Sequence, residues 1–315
     1  MIQADVSMSS AQRIFNMCQL DPEPALETSY DQQHIKQNLL AKKIELGVIL
    51  QEKKFPSEGK VEFVNVRMRY REGLDPVLNQ LSFTINPRQR VGCVGRTGAG
   101  KSSIIAALFR MTEIDDPIDE NEEIAIKIDS LKTKLLGLHT LRGDISMIPQ
   151  IPFIFSGTIL RNLDPLREYS EEQIKEVIEE IGLSDKIQSL ATGLHTDMSN
   201  ASEAFSAGQK QLICLGRAIL KKSKLLILDE ATANVDMVTD DLIQRKIKER
   251  FQNSTVIAVA HRLNMIADYG IVVVMDKGRV IESGDPYTLL QQDSSYFKTI
   301  QGSEAGSFIQ QHFLD

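Results

Sequence analysis

Eight consecutive residues, 95–102, have the types and the spacing of a loop that binds phosphate groups. They read Gly-Arg-Thr-Gly-Ala-Gly-Lys-Ser and fit the pattern G-x-x-x-x-G-K-[ST]. A short apolar segment, 91–94, precedes them, and an apolar stretch without glycine or proline, 103–109, follows. Glycines let the backbone approach phosphates, and a helix start adds positive potential. We therefore predict a nucleotide site in which Lys101 supplies a charge and Ser102 a hydroxyl for Mg²⁺.

Two carboxylates, Asp229 and Glu230, follow a second apolar segment, 225–228. Open α/β sheets bind their ligands at the carboxyl ends of the strands. With a phosphate loop upstream, Asp229 is predicted to hold the Mg²⁺ shell. Glu230 is predicted to orient the water that attacks the γ-phosphate, or to accept its proton. Many strands end in acidic loops, so this pattern alone would be a weak indication.

Two further polar residues also follow predicted strands. Gln150 comes after the segment 145–149, and His261 comes after 256–260. Gln150 could ligate Mg²⁺ or bind the attacking water, and His261 could contact the γ-phosphate. Either residue, taken singly, could equally be structural.

The segment 205–209, Phe-Ser-Ala-Gly-Gln, opens an apolar helix at 211–220. Such a helix start presents the Ser206 hydroxyl and free N–H groups to an anion. The simpler interpretation is an N-cap that stabilises the helix by ~1 kcal/mol. Because the helix runs back toward Asp229, we expect the segment to point away from its own phosphate loop and to serve another subunit.

The composition excludes several classes of protein. A net charge of −7 over 315 residues argues against nucleic-acid binding through a broad basic surface. Three cysteines lie far apart, which fits a reducing compartment with neither disulfides nor zinc, and Cys93 and Cys214 are expected in the core. No segment approaches the ~20 apolar residues that span a bilayer, so a membrane would be reached through a partner.

The order of the segments predicts a parallel α/β sheet. Residues 1–60 read as polar and helical. From Val61 onward, short apolar strands alternate with helical stretches, as expected for strands that are buried on both faces. The acidic run 112–124 is predicted to be a solvated loop, and 170–190 an inserted helical lobe.

Taken in order, these motifs resemble the nucleotide-binding domain of ABC transporters over about residues 61–290. The following positions match that family's motifs: Tyr70 the adenine-stacking aromatic, 95–102 the Walker A loop, Gln150 the Q-loop, 205–209 the signature motif, 225–230 Walker B, 233–236 the D-loop and His261 the switch histidine. So many motifs in the right order make the resemblance specific.

Four segments are similar to the C subfamily, the multidrug-resistance-associated exporters of organic anions: 69–74, 94–103, 157–165 and 229–236. Glu230, rather than an aspartate, resembles the second nucleotide-binding domain of that subfamily, the hydrolytically competent one. Residues 1–30 then resemble the tether after the last transmembrane helix. The chain is accordingly expected to be a fragment, a truncated product, or a subunit that assembles with a separate membrane protein.

The resemblance implies an α/β fold of the P-loop NTPase (RecA-like) type. A parallel sheet core is expected to carry an N-terminal antiparallel β subdomain and an inserted α-helical subdomain at about 153–215. The implied domains are a helical linker after a missing transmembrane domain (1–59), the nucleotide-binding domain (60–300) and a C-terminal tail (301–315). The implied function is ATP hydrolysis that powers export of organic anions or conjugates, at the cytoplasmic face of a membrane.

The resemblance also implies a role for each matched residue. Glu230, His261 and Gln150 are implied to be catalytic, and Mg²⁺ to be held by Ser102, Gln150 and Asp229. ATP is implied to contact Tyr70, Gly95, Arg96, Thr97, Gly98, Ala99, Gly100, Lys101, Ser102 and Ser103. Two such domains are expected to dimerise head to tail beside transmembrane domains, with Ser206, Gly208 and Gln209 serving the partner's ATP.

The chain departs from the family in the half that would serve the partner. The usual Leu-Ser-Gly-Gly-Gln has Ala207 in place of its first glycine, and 198–204 lacks the usual glycines. Added Cβ atoms are expected to weaken that half. Two alternatives remain open. One is a non-transport relative acting on ribosomes or DNA, which the acidic balance disfavours; the other is a regulatory domain that binds ATP but hardly turns it over, which Glu230 argues against.

Overall fold

The computed structural model describes residues 23–31, 55–201, 205–232, 235–260, 266, 268–292 and 294–300. Most of the polar, helical stretch predicted for 1–60 lies outside these ranges, as does the tail at 301–315. Within the described ranges, no helix is both long enough and apolar enough to cross a membrane. The acidic run 112–124 is a loop, as predicted.

The strands of the described chain are β1 (Val61–Met68), β2 (Leu78–Ile85), β3 (Arg90–Gly95), β4 (Ala125–Ile128), β5 (Leu131–Lys132), β6 (Ser146–Ile148), β7 (Leu225–Asp229), β8 (Thr255–Val259), β9 (Ile271–Asp276) and β10 (Arg279–Gly284). The α-helices are α1 (Lys101–Leu108), α2 (Leu138–Gly143), α3 (Ile159–Leu163), α4 (Glu171–Glu180), α5 (Ser184–Gln188), α6 (Met198–Ala201), α7 (Ala207–Lys221), α8 (Met237–Arg250) and α9 (Pro286–Gln291). Residues 296–300 are also helical.

A six-stranded sheet, in the order β10-β9-β3-β8-β7-β6, forms the centre of the fold. The strands from β9 to β6 are parallel, and β10 is antiparallel to β9. Alternate residues of β7 belong to two separate apolar clusters, Leu226 and Leu228 to one and Leu225 and Ile227 to the other. The strand is therefore buried on both faces, which explains its unbroken apolar sequence.

Two additions to this sheet confirm the fold class expected from the sequence. A four-stranded antiparallel sheet, in the order β2-β1-β4-β5, packs against one of the apolar clusters. The helical lobe from α3 to α7 packs in the other cluster, and it is inserted between β6 and β7, which are hydrogen-bonded neighbours. Cys93 and Cys214 are buried in these clusters, as expected.

The described N-terminal segment, 23–31, packs on the start of α2. Leu138 N–H donates to the Ala25 carbonyl at 3.2 Å, and His139 N–H donates to the Leu26 carbonyl at 3.0 Å. These bonds satisfy N–H groups that have no acceptor within the helix itself. The segment thus completes the helix that leads into β6.

The buried carboxylate of Asp31 fixes this segment. It accepts hydrogen bonds from Gly137 N–H at 2.9 Å, from the Thr140 hydroxyl at 2.8 Å, and from both the N–H and the hydroxyl of Thr28 at 2.7 Å. Burial alone would raise the pKa of Asp31, but the hydrogen bonds from Thr28, Thr140 and Gly137 outweigh it and hold the pKa below its usual value. Asp31 therefore remains ionised in the folded protein.

We predict that Asp31→Asn lowers the free energy of unfolding by about 1–3 kcal/mol at neutral pH, because charge-assisted hydrogen bonds are lost. A lowered folded pKa stabilises the protein above the unfolded pKa of ~3.9, and this contribution disappears as the pH falls through the folded pKa. Urea unfolding should therefore show the variant converging on the wild type below about pH 4. The exposed Asp241→Asn on α8 is the control. An equal loss of stability at all pH values would contradict the ionised assignment.

Candidate nucleotide-binding site

The carboxyl ends of the parallel strands carry the predicted site residues to one edge of the six-stranded sheet. β3 ends at Gly95, where the phosphate loop begins, and β7 ends at Asp229. Asp229 lies opposite Val259 at the end of β8, and Glu230 N–H donates to the Val259 carbonyl at 3.0 Å. Strand pairing alone therefore brings together segments from distant parts of the chain.

Glycines shape the loop between β3 and α1. Gly98 and Gly100 have φ angles of 83° and 100°, which favour glycine. A Cβ on Gly95 would lie 2.4 Å from the Met275 carbonyl oxygen, so β9 leaves no room for a side chain there. Gly100 is the N-cap of α1, and no side chain caps this helix. The first N–H groups of α1 have no acceptor within the helix, so they fit a phosphate group.

The Lys101 ammonium is buried inside this loop. Its Nζ donates to the Gly95 carbonyl at 2.8 Å and to the Arg96 carbonyl at 3.1 Å. Burial lowers the pKa of Lys101 below its ordinary value, whereas the negative charge of Glu230 acts in the opposite direction. The loop therefore holds a desolvated positive charge on backbone carbonyl oxygens, within the electrostatic reach of Glu230.

Tyr70 lies beside the first turn of α1. Its hydroxyl is 3.0 Å from the hydroxyl of Ser103, which is buried. The tyrosine itself is 52% exposed. A half-exposed ring tethered next to the phosphate loop fits a base-stacking surface. The hydroxyl of Ser103 is engaged with Tyr70, whereas the neighbouring Ser102 is exposed.

Gln150 and Glu230 are in direct contact. Gln150 Nε2 donates to Glu230 Oε2 at 2.8 Å. Glu230 has a φ of 45°, a left-handed conformation that is uncommon for a residue with a side chain. Burial and the neighbouring Glu230 charge both raise the pKa of Asp229. Lys101, Gln150, Asp229 and Glu230 thus form one polar cluster at the sheet edge.

A magnesium ion fits this cluster only together with phosphate oxygens. Within the described ranges, no group of three or more His, Cys, Asp or Glu residues could hold a metal on its own. Mg²⁺ at phosphate sites is commonly bound by one or two protein carboxylates plus substrate phosphates. Asp229, the hydroxyl of the exposed Ser102 and the side-chain amide of Gln150 supply oxygen donors of this kind. His261 lies outside the described residues, and its role stays a prediction.

The predicted signature segment forms the start of α7, with Ser206 as the N-cap of that helix. Ser206 Oγ accepts from Gln209 N–H at 3.1 Å, and Gln209 Oε1 accepts from Ser206 N–H at 3.1 Å, which forms a capping box. A Cβ on Gly208 would lie 3.0 Å from Thr239 Cγ2, so glycine is favoured there. Ala207, in contrast, is exposed in the first turn of α7, where its backbone is helical.

One buried residue that the sequence analysis did not single out supports Gln150. Gln211 is buried on α7, and its Nε2 donates to the carbonyl of Pro149 at 2.8 Å. The bond fixes the peptide that immediately precedes Gln150. A sequence signal existed, since Gln211 is followed by four apolar residues in the buried part of the helix.

A second support that was missed holds the segment after Gln150. Arg217 Nη1 donates to the carbonyl of Phe153 at 2.7 Å, and its guanidinium lies 4.7 Å from the centroid of the Phe155 ring. Its Nη2 donates to Oδ1 of the fully buried Asn162 at 3.0 Å. The sequence signal was an arginine within the apolar part of α7, which indicates a buried polar contact. The acceptors could not be predicted, because they lie in the separate segment 153–162.

Comparison with known proteins gives this site its family context. The family model described as "ABC transporter" matches residues 78–233. The ATP-binding cassette sub-family C member 4 of Homo sapiens is 46% identical over 248 residues, which are 78% of this chain and 18% of that protein. The probable multidrug resistance-associated protein lethal(2)03659 of Drosophila melanogaster is 41% identical over 297 residues, 93% of this chain and 20% of that protein.

A solved bacterial Atm1-family ABC exporter with ATP bound has the same fold, with a TM-score of 0.71 and 26% identity over 87% of this chain and 48% of that chain. This chain spans about a fifth of the length of the curated relatives named above. These matches identify it as an ABC transporter ATP-binding domain, homologous to the multidrug resistance-associated proteins of the C subfamily and to ABC exporters, which are ATPases coupled to transport.

Proposed function

We propose that this chain binds ATP at the 95–102 loop, hydrolyses it, and thereby powers export of organic anions or their conjugates. The observation that carries the proposal is the 2.8 Å hydrogen bond between Gln150 and Glu230, at the sheet edge where β3 ends in the loop that holds Lys101. Three segments that the family uses at one ATP site therefore meet in one polar cluster.

The loop and the start of α1 bind the phosphates in this proposal. The N–H groups of the first turn donate to phosphate oxygens, and Lys101 Nζ adds a positive charge that now rests on the Gly95 and Arg96 carbonyls. Tyr70, tethered to Ser103, supplies a surface for the adenine ring. Magnesium, bound through Ser102, Gln150 and Asp229, would neutralise charge that develops on the phosphate oxygens.

Glu230 is the proposed base for hydrolysis. Its carboxylate accepts a proton from the attacking water, or orders that water, and Gln150 orients the carboxylate through its side-chain amide. His261 is proposed to contact the γ-phosphate.

A second nucleotide-binding domain is the proposed partner of the Ser206 segment. The capping box uses Ser206 Oγ as an acceptor, and a hydroxyl that accepts one hydrogen bond can still donate another. Ser206, Gly208 and Gln209 would then face the partner's ATP in a head-to-tail dimer. Glu230, as the catalytic carboxylate, supports the position of a second rather than a first nucleotide-binding domain.

Membrane-spanning segments are the second proposed partner. Ile151, Phe153 and Phe155 lie in one short segment just after β6 and are 75%, 61% and 38% exposed, and the rings of Phe153 and Phe155 are in contact with their centroids 4.9 Å apart. Large apolar side chains exposed close together indicate a contact surface. Docking of transmembrane domains there would place this chain at the cytoplasmic face of a membrane and would couple the Gln150 segment to transport.

The first test is Glu230→Gln. We expect turnover in a phosphate-release assay to fall by ~10²-fold or more, because the base is lost, while ATP affinity by calorimetry stays unchanged. The chain is assayed at high concentration, where head-to-tail pairs can form. Glu249→Gln, the same change on the exposed face of α8, should keep full turnover. Equal turnover in Glu230→Gln and wild type would refute the assigned base, and no turnover in wild type would favour a regulatory domain.

The second test is Lys101→Ala, which should abolish ATP binding in calorimetry because the buried charge facing the phosphates is removed. Lys175→Ala on the exposed face of α4 is the matched control and should bind ATP normally. Far-ultraviolet circular dichroism establishes that both variants are folded. A folded Lys101→Ala protein with wild-type affinity would contradict phosphate binding by this loop.

A further inference from the structure

The C-terminal segment around Tyr296 has a fixed position beside β10. The carboxylate of Glu282, on β10, accepts hydrogen bonds from the Ser295 hydroxyl at 3.0 Å, from Tyr296 N–H at 2.6 Å and from Phe297 N–H at 3.0 Å. Burial would raise the pKa of Glu282, but these three bonds outweigh it and lower the pKa. Phe297 is fully buried and Ile300 is partly buried against the core. The backbone that carries the Tyr296 ring is therefore held in a fixed position.

The ring of Tyr296 meets the phosphate loop. The Arg96 guanidinium carbon lies 5.6 Å from the ring centroid, within the range of a cation–π contact. Arg96 is otherwise exposed, as are Thr97 and Gly98 after it. The aromatic ring thus gives the exposed side of the loop a contact with a segment that is anchored by hydrogen bonds to Glu282.

The backbone carbonyls of Gly95 and Arg96 together hold the Lys101 ammonium. The Arg96 carbonyl accepts from Lys101 Nζ at 3.1 Å and from Ala99 N–H at 3.0 Å. Holding the Arg96 side chain therefore restrains the peptide that orients the ammonium. The turn between β9 and β10 restrains the loop a second time, since Gly278 N–H donates to the Ala99 carbonyl at 3.0 Å.

We propose that Tyr296 is a positioning residue for nucleotide binding: its ring holds Arg96, and Arg96 holds the loop backbone in the geometry that presents Lys101 to phosphate. This inference rests on the proposed ATP site, and it adds a residue from the far end of the domain to that site. The part of the chain after β10 thereby becomes part of the nucleotide-binding apparatus, although it contacts no reacting atom.

The test compares Tyr296→Leu, which removes the ring, with Tyr296→Phe, which keeps it. We expect Tyr296→Leu to weaken ATP binding about two- to five-fold in calorimetry and to raise the KM by the same factor, with kcat unchanged, because a surface cation–π contact has that size. Tyr296→Phe should bind ATP like the wild type. Ile178→Ala, which removes a buried side chain from α4 in the helical lobe, should lower stability but leave ATP affinity unchanged.

A double-mutant cycle separates positioning from general destabilisation. Arg96→Gln should weaken binding as Tyr296→Leu does, and the combined variant should be no weaker than either single variant. Three outcomes would overturn the inference while the wild type still binds ATP. They are additive losses of ATP affinity in the combined variant, wild-type affinity in Tyr296→Leu, and weakened binding in Tyr296→Phe. Absence of ATP binding in the wild type would instead remove the proposed function itself.

Discussion

A buried positive charge organises the site. The Lys101 ammonium is out of water, and its charge rests on carbonyl oxygens of Gly95 and Arg96. Burying a cation is costly unless it is well hydrogen-bonded, so the loop backbone must adopt the conformation that supplies those oxygens. That requirement in turn fixes the glycines, because φ angles near 83° and 100° at Gly98 and Gly100 would strain other residues. The same charge favours a phosphate anion as its eventual partner.

The parallel sheet converts this local constraint into an active-site geometry. Every parallel strand delivers its carboxyl end to one edge, so the loop after β3 and the carboxylates after β7 meet without a dedicated scaffold. Insertion of the helical lobe between the paired strands β6 and β7 leaves their register intact. Gln150 leaves β6 at that edge and bonds to Glu230, while Gln211 fixes the peptide just before it. The lobe is therefore connected to the proposed base through Gln211, the peptide of Pro149 and Gln150.

The sequence was sufficient to predict features that depend on local chemistry. The phosphate loop, the carboxylate pair after β7 and the parallel sheet follow from residue types at fixed short spacings. The contact between Gln150 and Glu230 could be anticipated, because both were expected to follow strands. The contact between Arg96 and Tyr296 could not, since no periodicity links a loop residue to a tyrosine two hundred positions later. The hydrogen bonds of Asp31 could not be predicted either, because Gly137 and Thr140 lie more than a hundred positions away in the sequence.

The signature segment shows why residue identity has to be judged in its backbone setting. From the sequence, Ala207 was the concern, because it replaces a glycine where a partner's phosphate would approach. In the structure Ala207 is exposed and helical, and the position where the packing favours glycine is the next one, Gly208, which lies against Thr239. The N–H groups at a helix start point along the axis, whereas a Cβ in the first turn points to the side. Whether the added Cβ of Ala207 weakens this half therefore stays a prediction. Of the two positions that are glycine in the usual motif, the chain thus has alanine at the exposed one, 207, and keeps glycine at 208, where Thr239 lies close.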